Sequence, residues 1–276
     1  MEETAAMGCC LGGRNFDLTY SPALVVETAP DNGYRSISTV NLAFLGFGED
    51  KLPDTWKQKL ITLAAPYAPL DGINEKGLAV AVLRIADEPT DQDTGKTDIT
   101  TTTAIRLMLD KAATVDEAVS LLEQYDMHSS AGSCYHFQLA DAAGNSAVVE
   151  YIDNEFVVLK ADEGYQMATN FLLSDKKFNF GTGQDRYGIL ESSLNRGCGV
   201  VKDEQAGMDL LQAASKDWHV SETVSYTHLD VYKRQFLYRV SSELWGHRRT
   251  AHPGNGNTGA SGVGVRLANP PYNPKT

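Results

Sequence analysis

Over the first 220 residues the apolar positions alternate between short runs of strand length and longer runs of helical period. ALVVETA (23–29) and STVNLAFLGF (38–47) are β-rich and predict strands. LAVAVLRIA (78–86) is a continuous apolar run of strand length and predicts a strand buried on both faces. CYHFQLADAAGNSAVVEYIDNEFVVLKA (134–161) predicts three strands, with tight turns at Ala-Gly-Asn and Asp-Asn. YQMATNF (165–171) predicts one more short strand. Residues 54–67 are helical in part, and APLDGINEKG behind them predicts a turn region. Residues 97–113 and 114–126 predict a helix pair, with Thr114 and Glu117 as a capping box at the second start. Residues 184–197 and 203–217 predict two amphipathic helices.

The order is strands, helices, strands, helices, and tight hairpins join the strands. This predicts antiparallel pairing and an α+β fold, with two packed antiparallel sheets formed within residues 20–170. The helices of 97–126 and 184–217 are expected on the outside. No strand is followed by a GxGxxG or GxxxxGK run, so there is no nucleotide fingerprint.

Composition narrows the function classes. The chain has 276 residues, 42% hydrophobic and 22% charged, as expected of a globular protein. A net charge of −12 argues against a nucleic-acid partner. No window of about 18 apolar residues predicts a membrane span, and no signal peptide is visible. Cys9, Cys10, Cys134 and Cys198 make neither a disulfide framework nor a zinc-spaced cluster, which fits a cytoplasmic setting.

Charge also divides the chain. Residues 1–221 carry a net −16 and residues 222–276 a net +4. At the junction, VSYTHLDVYKRQ (224–235) resembles the translated adapter scar that turns up in chains assembled from environmental DNA. Residues 222–276 are therefore expected to be a non-native, disordered tail, rich in Gly, Pro and Asn at its end, and 1–221 the folded domain. A native basic tail is the alternative.

GRNFD (13–17), DGINEKGLAV (71–80), TNF (169–171) and DRY (185–187) occur in this order. Together they resemble the choloylglycine hydrolase family of linear amide hydrolases, which includes bile-salt hydrolases and penicillin V acylases, with acid ceramidase-type amidases as relatives. The resemblance covers about residues 1–220. It implies an N-terminal-nucleophile hydrolase with a four-layer αββα sandwich of two antiparallel sheets. It also implies a bacterial enzyme that cleaves a linear, non-peptide amide C–N bond with a terminal cysteine, needing no metal or cofactor. Its partner would be a small-molecule amide; homo-oligomer formation stays open.

The chemistry suits these residue types. A free α-amine, with a pKa of roughly 7.7–8, can take a thiol proton near neutral pH. By resemblance Arg14 is the guanidinium that favours the thiolate, and Asp17 holds the terminal amine. Asn170 supplies an oxyanion donor, and Arg186 supports the site electrostatically. Arg14 and Asp17 stand at i and i+3, so both face the site only if the strand bends at Asn15 or Phe16. Arg84 stands where bile-salt hydrolases have Asn and penicillin acylases Tyr. If it lines the pocket, it could pair with an acidic substrate group; otherwise it is a strand-end charge in water. The non-catalytic readings are a surface ion pair for Arg14 and Asp17, a turn residue for Asn170 and a solvated helix residue for Arg186. Asn74 and Gly77 are expected as turn formers. Cys134 and Cys198 are expected as a packed and a loop thiol, and His128, His136 and His219 as structural.

In the family the nucleophile lies roughly fifteen residues ahead of the Gly of the GRN motif. Counting back from Gly13 passes Met1, and Gly8 falls at the hairpin turn. Neither Cys9 nor Cys10 is therefore expected to be the nucleophile. The chain reads as an amidase clipped at both ends and inactive as it stands. In the competing reading, loss of residues 1–8 exposes Cys9, too near Gly13 for a strand and return. The rival functions are an acyltransferase on the same fold and a non-catalytic binding protein.

Overall fold

A computed structural model describes residues 10–16, 23–48, 51–161, 164–174, 181–215 and 234–240. In chain order the strands are β1 (Cys10–Phe16), β2 (Ala23–Thr28), β3 (Ser36–Asn41), β4 (Pro69–Asn74), β5 (Ala79–Ile85), β6 (Thr97–Thr100), β7 (Tyr125–His128), β8 (Cys134–Ala140), β9 (Ser146–Ile152), β10 (Glu155–Lys160), β11 (Asn170–Phe171), β12 (Gly181–Thr182) and β13 (Arg234–Val240). The α-helices are α1 (Trp56–Ile61), α2 (Thr101–Lys111), α3 (Val115–Leu122), α4 (Gln184–Arg196) and α5 (Glu204–Ala213).

Seven strands form one antiparallel sheet in the order β10-β9-β8-β5-β4-β3-β2. Strand alternation gives it two unlike faces. Val80 and Val82 of β5 and Phe137 and Leu139 of β8 point to α2 and α3, where they bury Ile105, Met108, Leu109 and Leu122 in the main core. The opposite face carries Asp71, Ala81, Gln138, His136 and Glu150. Over this face lies a second, two-stranded sheet, β1 paired antiparallel with β13. α5 packs on β1 and β13, and α4 on α5. The order of layers is helix, sheet, sheet, helix.

The two-sheet expectation within residues 20–170 is thus corrected. Seven strands within residues 23–160 build one sheet, β6 and β7 pair apart from it, and the sheet that faces it comes from segments far apart in sequence. β13 falls within the segment expected to be a tail. Arg234 to Val240 pair residue for residue with Phe16 to Cys10, so the last two residues of the scar-like run and the five after them are in a strand. The rest of 222–276, including Leu244 and Trp245, lies outside the described residues. Among the described residues one parallel pair exists, β6 with β7, at the ends of the α2–α3 hairpin.

Local chemistry explains the other differences. APLDGINEKG is not all turn: Pro69–Asn74 is a wholly buried strand, and the chain turns only at Asn74–Leu78. Asn74 Oδ1 accepts from the Lys76 and Leu78 N–H groups, while its Nδ2 donates to the carbonyls of Leu109 and Ala112 at the end of α2. The strand at 38–47 stops at Asn41, whose side chain caps a 3₁₀ turn by accepting from Ala43 N–H. Thr114 accepts from Glu117 N–H as expected, but Glu117 reaches back to Ala113 N–H, one residue short of a capping box. Asp153 and Asn154, both at positive φ, make the tight β9–β10 turn. Among the described residues, no helix is long and apolar enough to cross a membrane.

Candidate functional site

β1 crosses the inner face of the large sheet with Arg14 turned toward it and Asn15 turned away, donating to the Leu211 carbonyl of α5 at 2.7 Å. The mostly buried Arg14 guanidinium donates from Nη1 to the Leu70 carbonyl at 2.8 Å and lies 3.5 Å from Asp71 Oδ2. Asp71 is fully buried in β4. Its Oδ1 accepts from Thr39 N–H at 3.2 Å, where the β3–β4 register shifts. Next to Arg14 a cavity of about 120 Å³ opens between the sheets, lined by Gly12, Gly72, Ala79, Ala81, Gln138 and Met167 among others.

A second cluster forms around Asn170 at the start of β11. Its Nδ2 donates to the Arg84 carbonyl at 2.7 Å. Its Oδ1 accepts from Arg186 Nη2 at 2.6 Å. A guanidinium only donates and a carbonyl only accepts, so the two partners fix which way the amide faces. Gly183, at φ +97°, starts α4, and a Cβ there would stand 2.7 Å from Arg186 Nη2. Glycine at this point lets Arg186 fold back over the helix start to reach Asn170.

The two clusters share the β5 frame. Asp71 is in register with Ala81, and Arg84 is three residues further along, about 10 Å at strand rise. Of the predicted residues, Asn170 and Arg186 meet directly, and Arg14 lies one cluster away. Asp17 lies outside the described residues. Arg84 is a correction: it takes part through its carbonyl. Its side chain is exposed, in register with Tyr135, on the face that carries Val80 and Val82 under the helices. Strand alternation turns it away from the cavity.

Two histidines expected to be merely structural have acidic partners. His128 sits between Asp91 (Nδ1–Oδ1 2.6 Å) and Asp98 (Nε2–Oδ1 3.2 Å). Burial is the largest single influence and opposes its charge, but the hydrogen bonds and charges of the two carboxylates together outweigh it and raise its pKa above the ordinary value. His136 and Glu150 form a fully buried pair at 3.1 Å. Burial alone would raise the Glu150 pKa; hydrogen bonds from His136, Leu173 and Ser174 outweigh it and hold the carboxyl below its usual range. Asp71 and Glu150 were invisible as site residues, because a lone acid in a strand pattern reads as punctuation or surface.

Among the described cysteines, Cys134 is buried, and burial followed by the charge of Asp87 pushes its thiol up to about 11. A thiol so suppressed is not a nucleophile near neutral pH. Cys198 is exposed on a loop. Cys10 opens β1, four residues or about 13 Å of strand from Arg14. Cys9 lies outside the described residues. No group of three or more His, Cys, Asp or Glu that could hold a metal is found among the described residues.

Residues 8–196 match the acyl-coenzyme A:6-aminopenicillanic acid acyl-transferase family. A penicillin V acylase from Pectobacterium atrosepticum is 34% identical over 129 residues, which cover 43% of this chain and 34% of that protein. The chain thus spans about a third of the length of that curated relative. Two altered forms of a conjugated bile acid hydrolase from Clostridium perfringens superpose with a TM-score of 0.51 each. One is 14% identical and covers 79% of this chain and 81% of its own; the other is 16% identical and covers 83% and 80%. At such identities the likeness concerns the fold, the αββα sandwich built above.

Proposed function

Because the chain belongs to the acyl-coenzyme A:6-aminopenicillanic acid acyl-transferase family, we propose that its site hydrolyses a linear, non-peptide acyl amide, of the penicillin V or conjugated bile acid type, through a cysteine thiolate. The observation that carries this reading is the fixed amide of Asn170. Its nitrogen has two hydrogens, and the Arg84 carbonyl takes one. The second serves as a donor to an oxyanion, in an orientation that Arg186 enforces.

The steps follow from the chemistry of a terminal cysteine thiol and its α-amine set beside Arg14 and Asn170. The thiolate sulfur attacks the amide carbon, and the carbonyl π electrons move to oxygen beside Asn170. Collapse expels the amine, which takes its proton from the ammonium that had accepted the thiol proton. Water then attacks the thioester and releases the acid and the thiol. Arg14, fixed by the Leu70 carbonyl and Asp71, supplies the positive charge that favours the thiolate. The thiol is assigned to an N-terminal cysteine; Cys10 itself stands about 13 Å along β1 from Arg14.

The family match favours a second reading, in which an amine intercepts the thioester and the acyl group is transferred. The test follows release of amine from penicillin V by the protein, with and without an added acceptor amine. Hydrolysis is expected, with a Cys9→Ala/Cys10→Ala variant as active as its parent and Asn170→Ala slower by about 10²–10³-fold in kcat. A new N-acyl product in place of the free acid selects transfer. Substrate binding with no amine released in either case leaves a binding protein and refutes the amidase reading.

A further inference from the structure

Glu150 lies on the cavity-side face of β9, fully buried and paired with His136 on the neighbouring strand. Its carboxylate collects four donors. Oε1 accepts from His136 Nδ1 at 3.1 Å and from Leu173 N–H at 2.8 Å. Oε2 accepts from Ser174 N–H at 3.0 Å and from the Ser174 hydroxyl. A buried carboxylate is costly unless its oxygens are satisfied. Here they are satisfied by two consecutive backbone N–H groups, three and four residues after Asn170.

The stretch between is short and seated. Phe171 and Leu172 are buried, and Phe171 meets Tyr187 edge-on at 5.4 Å between centroids. Tyr187 follows Arg186 in α4. The backbone at Asn170 has only the two-residue β11–β12 pairing as regular structure. Its amide is fixed at one end by Arg84 and Arg186, and its chain is fixed at the other by Glu150.

We propose that Glu150, oriented by His136, is a positioning residue for Asn170: it clamps the backbone of Leu173 and Ser174 and thereby sets where the Asn170 amide stands. The catalytic consequence rests on the amidase reading above; the clamp itself does not. Glu150→Gln keeps size but turns one acceptor oxygen into a donor, which then faces donors already there. Ser174→Ala removes one donor and leaves the carboxylate paired.

The test compares the whole chain with each variant by ¹⁵N NMR, reading the Asn170 side-chain NH₂ pair and amide exchange at Leu173 and Ser174. Amide exchange at Val80 and Val82 serves as the internal reference. Glu150→Gln is expected to speed exchange at Leu173 and Ser174 by about 10-fold or more. It is also expected to shift or broaden the Asn170 pair, with Val80 and Val82 unchanged. Ser174→Ala is expected to move the same signals less, and it decides the matter if Glu150→Gln fails to fold. An Asn170 pair unmoved in the folded variants overturns the proposal. Where the unaltered protein cleaves penicillin V, Glu150→Gln is expected to lower kcat by about 10–10²-fold with KM nearly unchanged. If penicillin V is not cleaved by the unaltered protein, the amidase reading fails while the NMR comparison still decides the clamp.

Discussion

Arg14 and Arg186 reach the site by different means. Arg14 leaves a strand and is held by a carbonyl and a buried carboxylate. Arg186 leaves the first turn of a helix and is admitted by a glycine. The motifs GRNFD, TNF and DRY made Arg14, Asn170 and Arg186 legible, but their partners were not, because Asp71, the Arg84 carbonyl and Glu150 are brought in by strand register. His128 shows the same effect at the surface, joining Asp91 to Asp98. Its pKa is raised in the folded chain, so the folded state binds the proton more tightly. The stabilisation is full below the ordinary value of 6.5 and is lost as pH rises through the raised folded value. A series of Tm measurements between pH 5.5 and 8.5 is expected to show stability falling with pH in that window, and His128→Gln to flatten the fall. Identical pH profiles for the two proteins would remove the pair from the account. Both acids are largely exposed, so the effect is small and weakens with salt.

At the scale of elements, β4 is the informative case. Its sequence, PLDGIN, has few β-formers, yet it is buried throughout. Propensity is overridden because β4 lies between β3 and β5 with α2 pressed on it. Gly72 is needed for that closeness: a Cβ would stand 2.7 Å from Leu109 Cδ1 and 2.8 Å from the Ile37 carbonyl oxygen. The leucine methyl can move, but the backbone oxygen cannot. Gly72→Ala is therefore expected to destabilise the chain by about 1–3 kcal/mol, read as a lower urea midpoint. An unchanged midpoint would mean that the β3 backbone at Ile37 is free to give way. The strongly patterned elements, β5, β8–β10, α4 and α5, lie within a few residues of their expected limits. YQMATNF failed as a strand: only Asn170 and Phe171 pair, and side chains hold the rest to the sheet, as where Gln138 donates to the Gln166 carbonyl.

At the scale of the molecule, the cavity and Arg14 depend on a second sheet made from β1 and β13, more than two hundred residues apart. A chain ending at Ser215 leaves β1 without its strand partner. Faster amide exchange at Leu11 to Arg14 is expected, with Val82, Phe137 and Val149 protected as before. Equal loss at all these positions would mean that both sheets unfold as one unit. The hydrophobic pattern by itself determined the hairpins of residues 134–161, the helix pair and the antiparallel character of the large sheet. These depend on local period, turn residues and caps, which neighbouring residues specify. The motif order determined the family resemblance. Only tertiary structure decided that seven strands of residues 23–160 form one sheet and that the sheet facing it needs both distant segments. It also decided that Arg84 turns its charge away from the site while lending its carbonyl, and that buried Asp71 and Glu150 hold Arg14 and the Asn170 segment. The physical reason is common to all four: pairing between distant strands fixes register and face, and neither is written in any local window of residues.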